Sequence, residues 1–61
     1  MDLINYIGLK VKIILTNDYY YIGQVTSADE NSIDLIDMKN QKVSLTKQSI
    51  LTIQEVSSNG H

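Results

Sequence analysis

The chain contains no cysteine and no proline, and its only histidine is His61. Without cysteine there are no disulfide staples. One histidine cannot supply the several ligands a structural zinc site needs, so no metal centre and no cofactor is expected. The absence of proline removes a residue that commonly blunts the exposed edge of a sheet. Long apolar stretches are missing too: the longest aliphatic run is Ile13-Ile14-Leu15, far short of a membrane span. Nothing resembles a signal peptide, because Asp2 stands where a positive start belongs and no long apolar stretch follows. The expected location is therefore cytoplasmic, with no membrane contact. Positive charge is not in surplus either, with a formal net charge of -2 and a pI near 4.9. That balance argues against a protein that coats nucleic acid through a general positive field, but it leaves room for one focused site.

What is present suits a very small folded domain. Hydrophobic residues make up 43% of the 61 residues, enough for a core rather than a disordered chain. A chain of this length buries only about 60% of the surface its unfolded form exposes, so its core is marginal alone. Disulfides, a metal or partner subunits usually compensate. With the first two excluded, self-association is the remaining device. Residues 1–56 are expected to form the domain. Residues 57–61 have no apolar anchor and are expected to be a flexible tail.

The hydrophobic period along the chain is mostly two. Asp2 is placed to cap a short helical turn over Leu3 to Ile7, ended by Gly8, with Leu3, Ile4 and Ile7 sharing one face. An irregular lead is the alternative. From Lys10 to Leu15, Val11, Ile13 and Leu15 point one way and Lys10, Lys12 and Ile14 the other. Asn17-Asp18 reads as a hairpin turn. Tyr19 to Ser27 reads as a long second strand, interrupted by Gly23 where a small barrel needs a bulge or bend. Asp29-Glu30-Asn31 is the next turn, and Ile33 and Leu35 supply the inner face of a third strand. After a turn at Lys39-Asn40, Val43 and Leu45 serve a fourth strand. Lys47-Gln48-Ser49 leads into a fifth, with Leu51 and Ile53 on one face and Ile50 and Thr52 opposite. The expected fold is all-β: a small five-stranded SH3-like barrel with a short N-terminal helical turn.

Ile14, Ile22 and Ile36 find no inner place once the alternate set is inside. Spare apolar residues and unblunted strand edges together point to edge-to-edge assembly. A monomer with a few exposed isoleucines is the alternative.

From Gly23 onward the chain resembles the Sm and Sm-like family. Gly23-Gln24-Val25-Thr26-Ser27-Ala28-Asp29 has that family's order of glycine, apolar, small or apolar, and aspartate at matching spacing. The segment Glu30 to Leu35 is close in length to the bacterial Hfq type. Val43 to Ile50 sits where the family has its fourth strand, polar hinge and fifth strand, and Thr46-Lys47-Gln48 stands where the Hfq type has Tyr-Lys-His. The resemblance covers roughly residues 3 to 56. It implies a Sm-like barrel and a homo-oligomeric ring, hexamer or heptamer, in which the fourth strand of one subunit pairs with the fifth of the next. It also implies a pore mouth lined by Asp29 to Ser32 and Thr46 to Ser49, and single-stranded RNA as ligand. Carried over by position, Lys47 is the nucleic-acid-contacting lysine, Gln48 holds the histidine position and Asn31 the base-stacking position. Gly23 and Asp29 are structural turn residues.

Single-strand readers hold bases by hydrogen bonds and stacking while cations meet the phosphates. Lys47 supplies the cation, and Gln48 and Asn31 can satisfy base edges. A plain polar turn is the alternative for these residues, and the nearby Asp29, Glu30, Asp34 and Asp37 oppose phosphate. Lys10, Lys12 and Tyr20 are further candidates for nucleic-acid or peptide contact, against a reading as ordinary surface or packing. Among the consecutive tyrosines, Tyr19 and Tyr21 share one strand face and Tyr20 takes the other. No catalytic constellation is visible: there is no cysteine nucleophile, and nothing marks an activated serine or lysine. The chain is therefore not expected to be an enzyme. A function from another class stays open: a protein-interaction or structural barrel that oligomerises without nucleic acid and holds a protein partner through Tyr19 to Tyr21 or an open edge.

Overall fold

In the computed structural model, which describes residues 2–56, side-chain alternation sets the first strand. β1 spans Lys10–Leu15, with Val11, Ile13 and Leu15 buried while Lys10 is exposed and Lys12 and Ile14 are half-buried. β2 covers Tyr20–Ala28, β3 Ser32–Asp37, β4 Lys42–Thr46 and β5 Ile50–Glu55. All neighbours are antiparallel, in the order β4-β3-β2-β1-β5. The protein is a small all-β barrel whose two edge strands, β4 and β5, are joined by a 3₁₀ turn at Lys47–Ser49. The tail expected at 57–61, His61 included, lies outside the described residues. Among those residues no helix is long and apolar enough to cross a membrane.

The hairpins close where side chains can satisfy a tight backbone. Asp18 and Asn40 have left-handed φ values of 73° and 64°, a conformation that Asp and Asn tolerate better than most residues. Asn17 Oδ1 accepts from the Tyr19 N–H, and Asp37 Oδ1 accepts from the N–H groups of Lys39 and Gln41. At Gly23 the two neighbouring strands come so close that a Cβ would overlap the Ile36 carbonyl oxygen and lie 2.8 Å from Asp37 Cα. A bulge between Val25 and Ser27 adds curvature next to this bend. The core is aliphatic throughout: Leu3, Val11, Ile13, Leu15, Val25, Ile33, Leu35 and Ile50.

Two local expectations are corrected. The N-terminal turn is a 3₁₀ helix over Leu3–Tyr6, with about three residues per turn, so Leu3 and Tyr6 share the packed side. Ile4 and Ile7, placed on that face by α-helical spacing, are 54% and 45% exposed. Asp2 makes no side-chain cap bond. In β5 the phase is reversed at the start: Ile50 is buried and Leu51 is 61% exposed. Ile14 pairs with Thr52 and Leu15 with Ile50, so Leu51 is the extra residue of a bulge. That insertion brings both Ile50 and Ile53 to the core side, which strict alternation forbids. Tyr19 lies just before β2 and is exposed, as is Tyr20, while Tyr21 packs against the core.

Candidate functional site

The turn between β2 and β3 is organised by one carboxylate. Asp29 Oδ1 accepts from the backbone N–H groups of Asn31 and Ser32 at 2.8 and 2.9 Å, and from the Ser32 hydroxyl at 3.2 Å. The Asp29 N–H in turn donates to the Ser32 carbonyl. These donors, the Asn31 N–H foremost and the Ser32 N–H next, hold the Asp29 carboxyl below its ordinary value of 3.8.

The second connection meets the first through the backbone. The Lys47 N–H donates to the Asn31 carbonyl at 2.8 Å, so the 3₁₀ turn after β4 is tied to the loop after β2. The Ser49 hydroxyl, donating to the Thr46 carbonyl at 2.7 Å, stabilises that turn from within. Between the two connections and the N-terminal turn lies a cleft of about 550 Å³. Its walls include Asn31 and Lys47 together with Asp29 and Glu30, and Asp2 to Asn5 on the opposite side.

Of the residues picked out from the sequence, the structure thus brings Asn31, Lys47 and Asp29 to one cleft. Gln48 is exposed on the same 3₁₀ turn but does not line it. Lys10, Lys12 and Tyr20 stand elsewhere, on the outer side of the β1–β2 pair, where Lys12 Nζ lies 4.8 Å from the centre of the Tyr20 ring. Gly23 sits at the bend under that face. Sequence reasoning missed Ile4 and Asn5 as cleft residues, because α-helical spacing turned Ile4 toward the barrel. A period of three, with Leu3 and Tyr6 packed, is the signal that turns Ile4 and Asn5 outward.

Chemically the cleft offers two amide side chains, from Asn5 and Asn31, one ammonium group, an apolar wall at Ile4 and three carboxylates, from Asp2, Asp29 and Glu30. Asn31 can donate to and accept from a planar partner, and Lys47 can meet an anion. Glu30 is free of the hydrogen bonds that engage Asp29, and a carboxylate accepts from amino and imino donors. The hydrogen bonds that Asp29 accepts favour its ionised form. Among the described residues, no three His, Cys, Asp or Glu side chains come together in a way that would hold a metal ion.

Compared with models of known families, with curated proteins and with solved structures, the chain matches none.

Proposed function

We propose that the chain is the subunit of a Sm-like homo-oligomeric ring that binds single-stranded RNA at the mouth of its pore. The observation that carries this reading is the Lys47 N–H to Asn31 carbonyl bond, which joins the two connections into one cleft. It is supported by the position of β4 and β5, both edge strands and therefore both free to pair with another subunit. The exposed Leu51 on β5 supplies apolar surface for such a contact.

In this reading Lys47 meets the phosphate, Asn31 reads base edges and Ile4 gives a base an apolar seat, while Gln48 stands beside the cleft on the exposed 3₁₀ turn. Ring symmetry repeats each modest contact, which is where affinity arises. It also repeats Asp2, Asp29 and Glu30, so the pore mouth is not a simple positive funnel. Base amino groups are held by carboxylates as well as by amides, and affinity depends on salt less steeply than in a basic protein.

Native mass spectrometry and binding of short homopolymeric oligonucleotides test the proposal together. A hexamer or heptamer with saturable binding, weakened by Lys47→Ala, is expected. A monomer removes the ring, and a ring indifferent to every homopolymer at low salt removes the RNA role.

A further inference from the structure

The polar groups of the cleft are unequal, and the difference bears on which base it holds. Its volume of about 550 Å³ lies within the usual span of small-molecule sites, about 300–1,000 Å³. The backbone of Asn31 is fixed on both sides. Its N–H donates to Asp29 Oδ1 and its carbonyl accepts from the Lys47 N–H, while its side-chain amide lines the cleft. Glu30 precedes it on the same turn and lines the cleft too. The donors of that turn are spent on Asp29: the N–H groups of Asn31 and Ser32 and the Ser32 hydroxyl all reach Asp29 Oδ1. Glu30 takes none of them. An exposed carboxylate, acceptor-only when ionised, thus stands beside an amide whose backbone cannot shift freely.

The four bases differ at such a pair of groups. Unpaired bases are read on their Watson–Crick edges. Guanine alone presents two adjacent donors there, N1–H and the N2 amino group, which match the two oxygens of one carboxylate. Adenine and cytosine set a ring-nitrogen acceptor beside their amino group, so one carboxylate oxygen would face a lone pair. Uracil flanks its single N3–H with two carbonyl oxygens, and a carboxylate repels both. Next to the two donors of guanine lies its O6 acceptor, which an amide N–H can meet.

The charge balance leads the same way. Asp2, Asp29 and Glu30 outnumber Lys47 on the cleft walls, so attraction for phosphate is weak and the base has to supply affinity. We propose that the cleft selects guanine: Glu30 accepts from N1–H and the N2 amino group, the Asn31 amide donates to O6, and Ile4 seats the ring. The proposal rests on the cleft being the site for single-stranded RNA and adds the base that it prefers.

Fluorescence anisotropy with the full chain tests it on five labelled, short oligo-uridylate strands. They differ at one central position, which is uridine, guanosine, adenosine, cytidine or inosine. The guanosine strand is expected to bind at least about fivefold tighter than the uridine, adenosine and cytidine strands. Inosine keeps N1–H and lacks the N2 amino group, so its strand falls between. Glu30→Gln puts a donor where one acceptor stood and is expected to erase the advantage of guanosine. Glu30 is exposed on a turn, so the variant keeps its circular dichroism. A carboxylate that only repels phosphate gives a different result: Glu30→Gln then tightens all five strands equally, which overturns the proposal. Inosine bound as tightly as guanosine overturns it as well. Equal binding of all five strands by the unaltered chain overturns the proposal and leaves the RNA site standing, whereas binding of none removes both.

Discussion

Ser44 Oγ donates to Asp34 Oδ1 at 2.6 Å, across the β3–β4 pair that holds β4 to the sheet. Asp34 Oδ2 accepts from Ser27 Oγ at 2.9 Å, so one carboxylate laces β2, β3 and β4 together on the outer face. Both hydroxyls favour the ionised form. They hold Asp34 below its ordinary value of 3.8, Ser44 contributing most and Ser27 next, against partial desolvation and the charge of Asp29.

A carboxyl whose folded value is depressed stabilises the fold fully above its unfolded value, and that contribution disappears as pH falls through the folded value. For Asp34 and Asp29 alike the loss therefore falls below about pH 4, the unfolded carboxylate range. Thermal unfolding followed by circular dichroism from neutral pH into acid is expected to show a falling midpoint. Asp34→Asn lowers the midpoint at neutral pH and flattens the acid limb. Parallel acid limbs for wild type and variant would show that the Ser27–Asp34–Ser44 lacing does not stabilise the fold.

Gly23→Ala tests the bend. The added methyl meets backbone atoms of Ile36 and Asp37, which cannot rotate away as a side chain can. Overpacking of this kind costs about 3 kcal/mol, comparable with the whole stability of a domain this small. The variant is expected to be largely unfolded in water, read by urea titration. Gly8→Ala has open space around it and pays only for a left-handed φ of 86°, so it stays folded.

Much of this architecture is legible in the chain because the cause is local. Val11, Ile13 and Leu15, like Ile33 and Leu35, alternate strictly and are buried. Asp18 and Asn40 mark turns because their own side chains and backbone tolerance make them turns. The phase of β5 was not legible, since its bulge depends on how Leu15 and Ile50 register across strands rather than on any residue near Leu51. The N-terminal turn misled for a related reason. Four residues are too few to tell a period of three from one of 3.6, and packing of Leu3 against the core decides between them. The cleft was half legible: the Asn31 and Lys47 loops were picked out, but the wall formed by Ile4 and Asn5 follows from the turn geometry alone.

The bulge makes opposite predictions for adjacent residues. Ile50→Ala removes a side chain that is only 7% exposed and should cost about 2–4 kcal/mol, as buried aliphatic truncations do. Leu51→Ser alters an exposed side chain and should change the stability of the isolated fold by no more than about 0.5 kcal/mol. Urea midpoints at low protein concentration separate the two. If β5 pairs with a neighbouring β4, Leu51→Ser instead shifts the subunit equilibrium, visible as a concentration-dependent loss of the large species in sedimentation velocity.

The N-terminal turn is held by packing and not by its cap. Asp2→Ala should be nearly neutral, where a true capping bond would cost about 1 kcal/mol. Leu3→Ala, at 2% exposure in the core, should cost about 2–4 kcal/mol and detach the wall of the cleft. Amide exchange separates the cases. Faster exchange at the Gly8 N–H, which donates to Val25 at 2.9 Å, is expected in Leu3→Ala and not in Asp2→Ala.

Within the cleft the order of effects follows from geometry. The bond between Lys47 and Asn31 uses backbone atoms only, so Lys47→Ala keeps the cleft and changes stability by less than about 0.5 kcal/mol. Loss of its ammonium group should weaken oligonucleotide binding across all sequences and reduce the salt slope by about 1 for each phosphate it meets. Asn31→Ala removes one of the two amides lining the cleft and should act on some homopolymers more than others, because base edges and not phosphates are lost. Gln48→Ala should do least, since Gln48 stands outside the cleft wall. Binding isotherms at two salt concentrations for the three variants read this order directly, and a Gln48→Ala effect as large as that of Lys47→Ala would move the RNA path out of the cleft onto the exposed 3₁₀ turn.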